Sequence, residues 1–413
     1  MALSADQQKV YDKIVADLGA DESDARRWAI YDLEKFPPEM IVDHLVAGTR
    51  DEHRAVREAA SEVLENVPSD LCLPLLTPLL GDKRIEVRNL VAALISKFGD
   101  GAVRYLIAAL KVDDEDVRKF SADILGLAHS SDAVEGLAKA IYDPVFNVGV
   151  SAAEALGKIK SPKALPFLME AYTKRDYVRR ECAEAIGLLG VPEGAHFLAG
   201  KVMDEPDLLV QYAIVDGLGN SGDEQTLDFL DANASSFSEM LREPVALAYL
   251  KIAKRVQINP LQRETVPLDM LIAGAAAEEE DYGSLLMECF TPGVNSEILL
   301  AFSEIHDQLS SPVLVALVKA STGKEELLKF SEQMIKHADD WVAYTAIESF
   351  SPASEARLVE VVRRVLAGDR TMPQMAAMKK IQEAELPDAR GLVDAFLDSD
   401  DEDLRSLART LVG

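Results

Sequence analysis

The sequence predicts an all-α protein, an α-solenoid of about twelve stacked helix pairs, and three observations carry that expectation. One motif returns at a near-constant spacing. Apolar residues inside each unit recur every three or four positions. No stretch alternates in the way a half-buried strand does.

The spacing is clearest in the first half. The segments read DEHRAVREAASEVL from Asp51, DKRIEVRNLVAALI from Asp82, DDEDVRKFSADILG from Asp113 and RDYVRRECAEAIGLLG from Arg175. Anchored on the Val before Arg, they give Val56, Val87, Val117 and Val178. Val148 and Val210 fill the same place with Gly149 and Gln211 where the others have Arg. Successive separations are 31, 30, 31, 30 and 32 residues, a period that fits one helix pair stacked on its neighbours.

Each unit holds two helical patterns. The second starts at an acidic or turn residue, runs Val-Arg-x-x-Ala-Ala-x-x-Leu, and closes on Gly126, Gly157, Gly187 or Gly219. Acid at its start complements the helix dipole, and the glycine is expected to take the left-handed conformation past the last turn. The first pattern is shorter, as in Ser131–Tyr142 and Ser161–Tyr172, with Ser131 or Ser161 as cap and Pro162 in the first turn. Ala152, Ala153, Ala183 and Ala185 are small enough for neighbouring helices to approach closely. One such pair cannot bury its own apolar face, so each must stack upon the next.

The order Asp-x-x-Val-Arg-x-x-Ala-Ala-Glu-Ala-Leu-Gly has its best copies at Val148–Gly157 and Val178–Gly187. It resembles the HEAT repeat, of the PBS-lyase HEAT-like type found in phycobilin lyases and many bacterial scaffold proteins. The resemblance is most specific over residues 51–219, extends more loosely over 5–50 and weakens beyond 256. It implies a fold unit, which by itself leaves function open.

The reading divides the chain into a regular array over 1–256, an irregular repeat or hinge over 257–295, and degenerate repeats over 296–413. Pro260, Pro267, the acidic run Glu278–Asp281, Gly283 and Pro292 break the period in the middle stretch. Second helices remain legible at Leu241–Leu250, Trp341–Phe350, Met375–Ile381 and Leu404–Leu411.

Lys and Arg total 43 against 71 Asp and Glu, a net charge of −28. A field of that sign repels phosphate backbones and anionic membranes and attracts basic proteins, so nucleic acid and membrane are not expected partners. Cys72, Cys182 and Cys289 are scattered without a CxxC pair, which suits a reducing compartment, and Cys182 falls on an apolar helix position. The N-terminal stretch is acidic and lacks a signal-peptide core. The longest apolar run, Met270–Ala277, is too short to cross a bilayer. These features point to a soluble cytoplasmic protein.

The search for chemistry returns little. The six histidines never stand three or four residues from one another, and no HExxH occurs. Helical-repeat hydroxylases that bind di-iron carry His-Glu dipeptides, and this sequence has none. The GxxxxGK[ST] phosphate loop and the GxSxG elbow are missing too. No cofactor, metal site or catalytic residue is expected.

Two periodic tracks remain. Arg57, Arg88, Arg118 and Arg179 return at the repeat period; each follows an acidic helix start, which favours a structural Asp–Arg ladder over a phosphate-reading stripe. Six residues past each anchor Val stand Glu62, Ala93, Asp123, Glu154, Glu184 and Asp216. At 100° per residue this position lies opposite the buried arc, on the inner side of the stack. Beside it fall Leu90, Phe120, Val150, Arg180, Glu181 and Tyr212. The expected binding residues are Glu62, Phe120, Asp123, Glu154, Glu184, Tyr212 and Asp216, although repeat consensus with internal pairing also accounts for such a stripe.

The leading expectation is a non-catalytic protein–protein interaction scaffold that holds a basic or amphipathic protein segment on this acidic concave face. The alternative implied by the resemblance is a bilin (tetrapyrrole) lyase or chromophore chaperone, which absorbance of a protein–bilin mixture would reveal. Aromatic residues are 6% of the chain, few for a pigment pocket.

Overall fold

The computed structural model describes residues 3–276 and 280–412. Of the acidic run in the middle stretch, Glu278 and Glu279 lie outside the described residues. Among the described residues the protein is all-helical, with 26 α-helices and short 3-10 turns and no strand. The chain forms two compact units, Met1–Gly222 and Asp223–Gly413. No helix of the described residues is long and apolar enough to cross a membrane.

The N-terminal unit is a stack of seven helix pairs. Its second helices are Ser23–Leu33, Arg54–Leu64, Ile85–Lys97, Glu115–Ala128, Phe146–Ile159, Arg179–Leu189 and Leu208–Ser221, each packed on the next. The C-terminal unit adds six pairs, with second helices Arg242–Arg255, Glu280–Cys289, Ser311–Ala320, Asp340–Ser349, Thr371–Glu383 and Glu402–Val412. Sequence periodicity thus anticipated the architecture, and thirteen pairs answer the twelve expected.

The anchor valines make the core. Val87, Val148 and Val178 are fully buried, as are Ala152, Ala153 and Ala183 between neighbouring helices. Cys72, on the first helix Ser69–Leu76, and Cys182, on the second helix Arg179–Leu189, are fully buried, and loss of hydration pushes their thiols up to about 11 and about 12. They serve as small apolar residues.

The helix ends correct the sequence reading. Gly126, Gly157, Gly187 and Gly219 do not terminate their helices; all four lie inside them. After the first three the left-handed residue comes three positions later, at His129, Lys160 and Gly190. The interior glycines are there for proximity. A Cβ on Gly126 would sit 2.9 Å from Ala155 Cα, one on Gly157 2.8 Å from Ala185 Cα, and one on Gly187 2.5 Å from Gly217 Cα. Backbone touches backbone at the same level in three successive helix pairs, which only a missing side chain permits. Ser130 and Ser161 occupy cap positions without a side-chain hydrogen bond.

The arginine track is a clasp. Arg118 Nη1 donates to the carbonyls of Val112 and Asp113 at 2.9 and 2.8 Å, closing the turn before its own helix. Its Nε and Nη2 fork onto Asp143 of the next repeat at 2.7 and 3.0 Å. Arg26 repeats the arrangement with Ala20, Asp21 and Asp51. Arg57 and Arg88 keep the carbonyl half, to Asp51 and Glu52 and to Asp82. Gln211 and Gln374 also reach the carbonyl six residues back, both at 2.7 Å. The slot is kept for a long donor; the ion pair is added where an Asp faces it.

At Gly149 the donor comes from elsewhere. Tyr177, one repeat on, sends its hydroxyl to the carbonyls of Ile141 and Asp143 at 3.4 and 3.5 Å, the second lying six residues before Gly149. A Cβ on Gly149 would stand 2.8 Å from the Ile141 carbonyl oxygen and 3.5 Å from the Tyr177 ring.

In the C-terminal unit, residues 256–267 run between helices without a first-helix pattern of their own. Asn259 Nδ2 donates to the Cys289 carbonyl at 2.9 Å. Arg263 Nε donates to Asp231 at 3.1 Å, and that carboxylate also accepts from the buried Tyr249 hydroxyl at 2.6 Å.

Candidate functional site

The sixth position after each anchor faces outward from the core on one side of the N-terminal stack. Glu62, Glu184 and Asp216 are exposed there, and Asp123 and Glu154 are half-buried. The helical repeat places each on its own second helix, so the track rises one residue per repeat.

The carboxylates do not form one uniform row. Glu62 accepts a 2.7 Å hydrogen bond from the Tyr31 hydroxyl of the preceding repeat. Asp123 pairs with Lys119 at 2.8 Å and Glu154 with Lys158 at 3.4 Å, each within its own helix. Asp216 accepts from Asn220 at 2.8 Å. Glu184 sits 4.0 Å from Arg180, whose guanidinium is engaged more closely by Glu181 at 2.7 Å. Burial and the charges of Glu181, Glu154 and Asp216 raise the Glu184 carboxyl above its ordinary value, against the pull of Arg180. Glu154 and Asp216 therefore both lie within electrostatic reach of Glu184.

The two apolar candidates differ. The Phe120 ring already carries cations, the Lys119 ammonium 4.8 Å and the Arg88 guanidinium 5.8 Å from its centre. Tyr212 is about one-third exposed. Two aromatic residues escaped the sequence reading. Trp28, 61% exposed, and Tyr31 lie 5.9 Å apart on the helix Ser23–Leu33, with the Arg27 guanidinium 5.4 Å from the Trp28 ring. Their signal was present: Ala25-Arg26 precedes Val56-Arg57 by 31 residues, which puts Tyr31 on the sixth position and Trp28 on the third.

Among the described residues no group of three or more His, Cys, Asp or Glu is arranged to hold a metal ion. What the face can do is electrostatic: it presents carboxylates one repeat apart, with aromatic rings and a few local cations between them.

Comparisons with known proteins bear on the fold. The family model for HEAT repeats matches residues 11–96, 42–122 and 103–180. Deoxyhypusine hydroxylase of Aspergillus clavatus is 33% identical over 92 residues, covering 22% of this chain and 28% of that enzyme. The same enzyme of Neosartorya fischeri is 34% identical over 86 residues, 20% of this chain and 26% of that one. The chain thus spans about a quarter of the length of these curated relatives. A chain in the solved structure of Kap95p with RanGDP aligns at a TM-score of 0.58 and 13% identity, over 98% of this chain and 66% of that chain. At that identity the likeness speaks for the fold alone. Residues 11–180 of this protein carry HEAT repeats.

Proposed function

We propose that this chain is a non-catalytic interaction scaffold whose N-terminal unit holds a basic, amphipathic segment of a protein partner. The observation that carries the reading is the crowding of Glu154, Glu184 and Asp216 on three successive second helices. Glu154 and Asp216 both repel the Glu184 carboxylate between them, and cationic side chains spaced along a bound segment would relieve that repulsion. The net charge of −28 steers the same class of partner toward the surface. Kap95p, which binds RanGDP, lends the partner class by analogy of fold. The hydroxylase activity is not carried over, because this sequence holds no His-Glu dipeptide and the similarity spans a fifth of the chain.

The test is capture on an immobilised Lys/Leu amphipathic peptide. Wild-type protein is expected to be retained, and the triple variant Glu154→Lys, Glu184→Lys, Asp216→Lys to pass through with unchanged helicity. Equal retention of the two would overturn the reading.

A further inference from the structure

The acidic face of the N-terminal unit holds one carboxylate that the repeat does not call for. Glu181 stands three residues past its anchor Val178, where the other five anchored repeats carry Ala59, Leu90, Phe120, Ser151 and Ala213. Its side chain is 4% exposed, a costly burial for an acid. Its one partner among the described residues is the residue before it. Arg180 sets both Nε and Nη2 on Glu181 Oε1, at 3.1 and 2.7 Å, and no donor among the described residues reaches Oε2. We infer that Glu181 is the floor of an arginine-selective subsite on this face, and that Arg180 fills it in the free protein as a stand-in for an arginine of the partner. This rests on the function proposed above and names the cation that the face recruits.

Arg180 differs from the clasp arginines. Arg26 and Arg118 are nearly buried and reach across to the next repeat. Arg180 is 51% exposed, and its bonds stay on its own helix, with Glu181 beside it and Glu184 one turn on at 4.0 Å. It joins no two repeats, so a competing cation displaces it at the cost of those contacts alone. The charge of Glu154, on the preceding second helix, adds to theirs at the guanidinium. Three carboxylates thus act on the place where one half-exposed cation sits.

The chemistry favours a guanidinium over an ammonium. Two N–H groups of one planar fork meet a single carboxylate oxygen, which leaves the second oxygen free to accept from a ligand. Guanidinium is also the more weakly hydrated cation, so it loses less on entering a site whose floor is shut off from water. A lysine ammonium gives up more hydration and makes only a point contact.

Two amphipathic peptides of equal length and charge, one Arg/Leu and one Lys/Leu, are compared by fluorescence anisotropy on the full chain. Wild type should prefer the Arg/Leu peptide about tenfold, the worth of one charged hydrogen bond. Glu181→Gln keeps the shape of the side chain and should erase that preference. Arg180→Ala should tighten the Arg/Leu complex more than the Lys/Leu one. A peptide-free measurement tests the subsite by itself. In Arg180→Ala the buried Glu181 has lost its cation, and millimolar methylguanidinium, far below denaturing levels, should raise the melting temperature where methylammonium does not. The double variant Arg180→Ala, Glu181→Gln should respond to neither ion. If neither peptide binds wild type, the proposed interaction falls, while the methylguanidinium response still decides the subsite. Measurable but equal affinity of wild type for the two peptides, a preference kept by Glu181→Gln, or equal action of the two ions on Arg180→Ala would each overturn the inference.

Discussion

Gly149 is the residue at which local propensity and tertiary packing give opposite answers. Helix propensity alone makes Gly149→Ala stabilising by about 1 kcal/mol. The 2.8 Å approach of its added Cβ to the Ile141 carbonyl oxygen reverses the sign. We expect Gly149→Ala to lower stability by roughly 1–3 kcal/mol in urea unfolding, and Gly149→Arg to fare no better. A higher midpoint for Gly149→Ala would mean that the packing around Ile141 and Tyr177 is wrong. Asp143 shows a second residue-scale balance. Burial by itself would raise its carboxyl, but the Arg118 fork and the Val145 N–H hold it below its ordinary value. Its contribution is therefore fully present above the ordinary carboxylate range and lost as pH falls through the depressed native value. Asp143→Ala should cost roughly 3–5 kcal/mol at neutral pH, because Arg118 is left buried and unpaired. That cost should shrink in acid; a cost independent of pH would contradict the fork. Glu184 runs the other way, since its native carboxyl is raised. Glu184→Gln should be more stable than wild type at neutral pH, with the gain vanishing once both states are protonated at low pH. Stability lost at neutral pH would show that Arg180 outweighs the neighbouring acids. A residue that destabilises the free fold yet faces outward fits a role in binding.

At the scale of helices, the sequence carried the period, the anchor valines and the small residues of the seam, because all three follow from helical geometry and burial. It did not carry the purpose of the glycines. A Val-Arg-x-x-Ala-Ala-x-x-Leu-Gly string looks like a helix with its cap, and only the position of the neighbouring helix shows that Gly187 meets Gly217 backbone to backbone. The two roles separate by experiment. Gly187→Ala should destabilise, as its Cβ would lie 2.5 Å from Gly217 Cα. Gly200→Ala, in the helix Pro192–Val202 with nothing within 4 Å, should be neutral or stabilising by up to about 1 kcal/mol. Thermal melts showing the two variants alike would refute the close contact. The missing arginine at Gly149 was equally opaque, because its stand-in, Tyr177, comes from the next repeat and obeys no spacing rule of its own. The stretch 256–267 lost its period for a similar reason: Asn259 and Arg263 bond to side chains and carbonyls about thirty residues away.

For the whole molecule, the solenoid architecture was legible because every pair repeats one physical solution, whereas the candidate face was legible only in part. The carboxylate track could be read as a position on a helix. That Phe120 is already covered by Arg88 and Lys119 could not, since it depends on long side chains meeting across repeats. Trp28 and Tyr31 were readable in principle and missed because the count began one repeat late. The central claim, that the acidic face recruits a basic segment, is electrostatic and so depends on ionic strength. Surface charges are screened over about 8 Å at physiological salt. The decisive measurement is the affinity of the Lys/Leu amphipathic peptide at several salt concentrations, for wild type and for the variant with Glu154, Glu184 and Asp216 all changed to Lys. The account predicts a steep loss of wild-type affinity with salt and a nearly flat, weak response in the variant. Parallel salt slopes would contradict it, and would mean that these carboxylates serve pairing within the protein alone.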